Sequence, residues 1–234
     1  MTKFWAVVPA AGIGKRMRAD KPKQYLLLDG KTVLERTLSR LSTHPKINAV
    51  IVATSAQDSY WQMLKLEDSI SVYRVEGGEE RCHSVLNCLA FLLEIADADD
   101  WVLVHDAARP CVRTIDIDKL IHSIVDHPVG SILGIPVSDT LKHCDSSQVI
   151  ESTPSRQNLW RALTPQLFQL GTLHDALQQA LNNNLMVTDD ASAIELAGLK
   201  PSIIAGHSDN IKITQPSDLT LASAYLMLQK DELI

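Results

Sequence analysis

The stretch "FWAVVPAAGIGKRMRADKPKQY", Phe4–Tyr25, decides the fold. A β-branched apolar run stops at Pro9, two alanines follow, and Gly12 and Gly14 bracket Ile13. A buried strand that runs straight into a glycine turn places a tight loop at the carboxyl end of a strand, where open α/β sheets bind their ligands. Around the turn stand Lys15, Arg16, Arg18, Lys21 and Lys23, in a chain whose formal net charge is −6. Backbone N–H groups in such a turn form an anion-binding hollow, and Arg16 and Lys23 can neutralise several negative charges at once. Two common phosphate loops fail on spacing. The dinucleotide fingerprint needs glycine where Met17 stands. The P-loop needs Ser or Thr at Arg16 and a glycine five residues before Gly14. What remains is a loop suited to a small polyanion such as a triphosphate.

Working outward, "INAVIVAT", "SISVYRV", "DWVLVHD" and "GSILGIPV" read as further buried strands. Between them lie amphipathic helical patterns. "TVLERTLSRLS" opens with a capping-box spacing, Thr32 and Glu35. "EERCHSVLNCLAFLLEI" places Val85, Leu86, Leu89, Leu92 and Leu93 on one face, and "GTLHDALQQALNNN" does the same with Leu173, Ala176, Leu177, Ala180 and Leu181. This alternation predicts a single α/β domain over 1–234, Rossmann-like, with a largely parallel sheet and helices on both faces. One segment departs from the pattern. Ser138 to Trp160 is polar, with a turn signal at Asp145-Ser146-Ser147, and reads as a β-hairpin with too little apolar surface to stand alone. On residues alone it is either a mobile lid or an arm that packs on a second subunit.

Hydrophobic residues make up 45% and charged residues 21% of the 234, ordinary for a globular protein. The acidic balance argues against a broad nucleic-acid or anionic-membrane footprint. Cys82, Cys88, Cys111 and Cys144 form neither a C-x-x-C pair nor a metal-ligand spacing, and fit reduced, mostly buried thiols. The first apolar run meets proline and then cations, so it reads as a strand and not a signal peptide. No apolar run reaches the roughly 18 residues of a membrane span, and the expected location is the cytoplasm.

Eight short motifs occur in a fixed order: "PAAGIGKRM", "KPKQY", "GGEERCHSV", "VHDAARP", "DT", "ALTPQ", "TDDASAIE" and "DNIKIT". Together they closely resemble the 2-C-methyl-D-erythritol 4-phosphate cytidylyltransferase family of the non-mevalonate isoprenoid pathway, from about Trp5 to Leu226. The resemblance implies attack of the erythritol phosphate on the α-phosphorus of CTP, with loss of pyrophosphate. Such transfers need alignment and charge stabilisation more than covalent help.

By that resemblance Arg16 and Lys23 stabilise charge in the transition state, while Arg156 and Lys212 hold the attacking phosphate in line. Pro9, Ala10, Ala11, Gly12, Gly14, Lys23, Gly78, Glu79, Ser84 and Ala107 line CTP. Asp106, Arg109, Thr140, Arg156, Thr164, Thr188 and Lys212 surround the polyol phosphate. Mg²⁺ is the implied cofactor, with Asp106 and Asp209 as its carboxylates. Mg²⁺ takes few protein ligands, so a poor cage is expected. Glu79 stands where many members carry aspartate, which moves the charge by a methylene. His105 reads as a packing residue, because a phosphate nucleophile is already ionised. The family dimerises through its arm, and its Arg156 serves the neighbouring subunit's site, which favours the arm over the lid for Ser138–Trp160. The nearest alternatives are a ribitol-5-phosphate cytidylyltransferase and a catalytically silent CTP-binding regulator.

Overall fold

The computed structural model describes residues 2–12, 17, 20–66 and 71–231. The expected sites Gly14 and Arg16 lie outside them. The opening run forms β1 (Phe4–Pro9), and its alternation explains where it sits. Phe4, Ala6 and Val8 enter one apolar core, while Trp5 and Val7 enter the other, because successive strand side chains point to opposite faces. Apolar residues on both faces can be satisfied only in the middle of a covered sheet. Accordingly β1 lies between two parallel neighbours, β4 (Ile47–Thr54) and β6 (Trp101–Val104).

Among the described residues the main sheet has seven strands, ordered β11-β7-β10-β6-β1-β4-β5. The later strands are β5 (Val72–Glu76), β7 (Ser131–Pro136), β10 (Trp160–Gln169) and β11 (Ser202–Ala205). All pairs are parallel except those of β10, which runs antiparallel to β6 and β7. A small hairpin, β2 (Leu27–Leu28) with β3 (Lys31–Thr32), precedes the first helix.

One face is covered by α1 (Val33–Ser42) and α3 (Thr114–Ser123), through Leu34, Leu38, Leu41, Ile117, Leu120 and Ile121. The other is covered by α2 (Arg81–Leu93), α4 (Leu170–Asn182) and α5 (Asp190–Leu196). The final helix, α6 (Ser217–Asp231), packs Ala222 and Leu226 against Leu28, Val33 and Ile213. The capping box at α1 forms as expected: Glu35 N donates to Thr32 Oγ1 at 3.1 Å, and Thr32 N to Glu35 Oε2 at 2.5 Å.

Three expectations need correction. β5 is an edge strand with exposed Tyr73 and Arg74, not a buried one. Leu93 is exposed, and the buried stripe of α2 runs instead through Cys82, Val85, Cys88, Leu89 and Leu92. The sequence reading also missed β10 and β11. β10 is punctuated by Pro165, whose peptide bond with Thr164 is cis, and prolines demote a run as a strand candidate. Three of the four cysteines are buried, Cys144 is exposed, and all four are free.

The hairpin forms where expected, as β8 (His143–Cys144) with β9 (Ile150–Ser152). Asp145 Oδ1 accepts from Ser147 N and Val149 N at 2.9 Å each, which is the turn chemistry that holds its tip. Residues 138–162 are exposed throughout, so the hairpin protrudes from the ends of β7 and β10.

Candidate active site

The loop after β1 is fixed from beneath by a side chain that sequence reasoning did not single out. Gln24, buried, donates from Nε2 to Ala10 O (2.6 Å) and Gly12 O (3.1 Å). Its own position is set by a short 3₁₀ turn, Lys23–Tyr25, where the Tyr25 hydroxyl donates to Asp58 Oδ2 at 2.6 Å and the ring stacks on Tyr60. Lys23 is thereby aimed across the loop, and its Nζ donates to Ile213 O at 2.9 Å. Ile213 N in turn donates to Ala108 O at 2.8 Å, which seats the "DNIKIT" segment beside "HDAARP".

The opposite wall comes from the loop between β5 and α2. A Cβ on Gly77 would lie 2.5 Å from Ala11 Cβ, so only glycine lets the two loops close on one another. Gly77 N donates to Thr54 O at 2.8 Å, and Gly78 N to the buried Ser84 Oγ at 3.1 Å. Between these walls lies a cleft of roughly 170 Å³. It is lined by Pro9, Ala10, Ala11, Gly12, Lys23, Gly78, Glu79, Ser84, Asp106, Ala107 and Lys212, together with Gln24, Glu80, Arg81 and Ala108. Every described residue expected at the nucleotide is in it.

A second hollow of roughly 240 Å³ adjoins the first. Of the residues expected at the polyol phosphate it is lined by Asp106, Arg109, Thr164, Thr188 and Lys212. Three residues line both hollows: Arg81, Asp106 and Lys212. Asp106 lies at their centre. Its Oδ1 accepts from Arg81 Nε at 3.1 Å, while Oδ2 lies 2.9 Å from Lys212 Nζ and 3.3 Å from Arg109 Nε. Its backbone N–H donates to Thr164 Oγ1 at 3.1 Å. Burial alone would raise the Asp106 carboxyl, but Arg81, Lys212 and Arg109 together hold it well below the usual carboxylate range. Arg81 reaches onward to Asp190, a fully buried carboxylate at the start of α5, with contacts of 3.1 and 2.7 Å. Burial opposes the charge on Arg81, and Asp190 and Asp106 more than offset it, raising its pKa.

His105 is fully buried, with Nε2 on Arg109 O (3.0 Å) and Nδ1 on Thr164 Oγ1 (2.9 Å). Burial pushes it down to about 4. It is a neutral packing residue and lines neither hollow.

Not every expected residue comes together. Thr140 and Arg156 are exposed on the protruding hairpin and line neither hollow, and the Arg156 guanidinium donates to Ser138 O. Asp209 also lines neither hollow. Its Oδ2 accepts from Arg113 Nε and Gln229 Nε2, both at 2.8 Å, on the α6 side of the molecule. The structure therefore does not bring Asp106 and Asp209 together at a hollow as a metal pair. Among the described residues, one group of three side chains has metal-ligating atoms within 4.8 Å of one another, Glu80, Cys82 and His83. It caps the start of α2, where Glu80 N donates to His83 Nδ1 at 3.3 Å.

Arg81 and Asp190 are the functional candidates that the sequence reading passed over. Both stand inside quoted motifs, "GGEER" and "TDDASA", but an arginine or aspartate at a helix start reads equally well as a surface charge or a cap. Only the pairing of two distant segments brings them together beside the hollows.

No helix among the described residues is long and apolar enough to cross a membrane. Residues 4–228 match the family model described as 2-C-methyl-D-erythritol 4-phosphate cytidylyltransferase. A Vibrio vulnificus protein of that name is 51% identical over 99% of this chain and 98% of its own length. One from Aliivibrio fischeri is 52% identical over 97% and 95%. Among solved structures, the Francisella tularensis protein of that name superposes with a TM-score of 0.81 at 38% identity, covering 96% of this chain and 100% of the other. The Thermus thermophilus one gives 0.76 at 29% identity, covering 95% and 98%. The eight motifs, the two adjoining hollows and these relationships have one outcome: the chain belongs to the 2-C-methyl-D-erythritol 4-phosphate cytidylyltransferase family.

Proposed function

We propose that the cleft behind β1 holds CTP, that the adjoining hollow holds 2-C-methyl-D-erythritol 4-phosphate, and that the chain transfers CMP from the first to the second in isoprenoid biosynthesis. The observation that carries this reading is the ridge of Arg81, Asp106 and Lys212, which borders both hollows and puts cations between two anionic substrates. An oxygen of the erythritol phosphate attacks the α-phosphorus of CTP. The new P–O bond forms as the α–β bridging bond breaks, and pyrophosphate leaves with the bonding pair. The phosphate monoester is already largely ionised at pH 7, so no side chain need take a proton. This agrees with the neutral, buried state of His105.

Lys23 and Arg16 supply charge to the transferring and leaving phosphates, the kind of preorganised stabilisation that dominates such reactions. Lys212 and Arg109 receive the attacking phosphate, with Thr164 and Thr188 bordering the polyol. Small residues at Ala10 and Ala11 let the backbone approach the base.

Among the described residues Asp106 is the one carboxylate that lines both hollows. Both of its oxygens are already engaged by Arg81, Lys212 and Arg109, so a Mg²⁺ here would be held mainly by triphosphate oxygens and not by a protein cage. Such an ion, when bound, neutralises phosphate charge and aligns the leaving group.

The exposed Leu141, Val149, Ile150, Leu159 and Trp160 of the hairpin support its use as a dimerisation arm. Arg156 and Thr140 on that arm are read as completing the partner's site, a homodimer with shared active sites. Pyrophosphate release from CTP, measured with erythritol phosphate and with ribitol 5-phosphate, tests the reading. Turnover with the first is expected; turnover with ribitol 5-phosphate alone would overturn it.

A further inference from the structure

Asp106 Oδ2 is shared by Lys212 and Arg109, whereas Arg81 Nε meets Oδ1. Arg81 thus fixes one oxygen of the carboxylate, and a rotation that released it would shift the two cations held by the other. Arg81 is in turn fixed by the two-pronged contact with Asp190, which is fully buried. That aspartate is anchored independently. Gln166 of β10 accepts from Ala191 N at 2.9 Å and donates to Asp189 Oδ2 at 2.8 Å, which locks the start of α5 to the sheet. A continuous path thus runs from the sheet through α5 and α2 to the rim shared by the two hollows.

We propose that Arg81 is a positioning residue for the second substrate: its guanidinium ties Asp106 to the buried Asp190 and so holds Lys212 and Arg109 toward the polyol phosphate. This rests on the assignment of the second hollow to that substrate. Arginine is required because one planar fork serves two separate carboxylates at once, which an ammonium on a flexible stem does not reproduce.

The test uses Arg81→Lys, Asp190→Asn and the double variant in the full-length protein. The readouts are steady-state kinetics for both substrates, CTP binding measured without the second substrate, and thermal melting. Arg81→Lys is expected to lower kcat/KM for erythritol phosphate about 10²-fold, as a small misplacement of aligning groups can, with a much smaller loss in CTP binding, whose cleft Arg81 also borders. Asp190→Asn should give a smaller loss of the same kind. Arg81→Lys leaves Asp190 poorly paired and should melt early. The double variant removes that buried charge, so its melting should recover while the kinetic defect persists. A double variant that recovers both melting and kinetics would show a merely structural role and overturn the inference. So would a loss that falls equally on CTP binding, or an Arg81→Lys protein with undiminished kcat/KM. A wild-type protein inactive on CTP and erythritol phosphate would instead sink the underlying assignment.

Discussion

The rim between the two hollows and the protruding hairpin contribute to the same proposed reaction by opposite means. At the rim, Asp106 is buried and contacted by three cations, of which Arg81 is held further by Asp190 and Arg109 by Asn210 O. On the hairpin, Arg156 and Thr140 are exposed, and the apolar side chains of Leu141, Val149, Ile150, Leu159 and Trp160 beside them are exposed too. A site built from one chain can be preorganised by burial. A site that needs a neighbour must leave its last pieces unburied until the neighbour arrives. On the proposed reading the rim sets charge and alignment, and the arm makes activity depend on assembly.

The largest effect should come from the rim side. Lys23→Ala is expected to lower kcat by about 10²–10³-fold, the cost of losing one preorganised charge-stabilising donor, while KM for CTP rises far less. Steady-state kinetics at saturating second substrate decide this. A rise in KM with kcat intact would make Lys23 a binding residue only.

The comparison breaks most directly on the arm. Arg156→Ala and Lys23→Ala homodimers should both be nearly inactive, yet mixing and re-equilibrating them should restore about a quarter of wild-type activity. Half the dimers become mixed, and one of the two sites in each is then intact. Absence of rescue would place Arg156 in its own chain's site. Ile150→Asp should shift sedimentation toward the monomer and lower activity together; an active monomer would remove the arm from the mechanism.

A smaller effect concerns stability. His105 has a folded pKa of about 4, below the roughly 6.5 of an unfolded chain. The unfolded chain takes up the proton first, so this contribution is complete above about pH 6.5 and is lost as pH falls toward about 4. It amounts to at most about 3 kcal/mol. Urea unfolding of wild type and His105→Gln at pH 7 and 4.5 should show a shallower pH dependence in the variant, and equal slopes would refute it. The smallest effect is expected at Glu79, which is exposed in the nucleotide cleft. Glu79→Asp should move KM for CTP by less than about tenfold, that is, by less than about 1.4 kcal/mol.

Much of this molecule was legible in its residues. The run Phe4–Pro9 forms the strand it announces, and Ile47–Thr54 likewise. Both are continuous apolar runs, and only a strand covered on both faces accommodates them. Thr32 with Glu35 marks a helix start because its hydrogen bonds close within four residues. Asp145 marks the hairpin tip for the same local reason.

What escaped the sequence is non-local. β10 runs antiparallel between β6 and β7, and its Pro165 hides it from propensity. The union of Arg81 with Asp190, 109 positions apart, has no local signature. Asp209, expected with Asp106 at a metal, lines neither hollow and is engaged by Arg113 and Gln229. Sequence determined the elements whose satisfaction lies within a few residues, and the order of motifs that carries the family. Tertiary structure alone decided which charges meet, because an ion pair depends on distance in space, and chain spacing does not encode that distance.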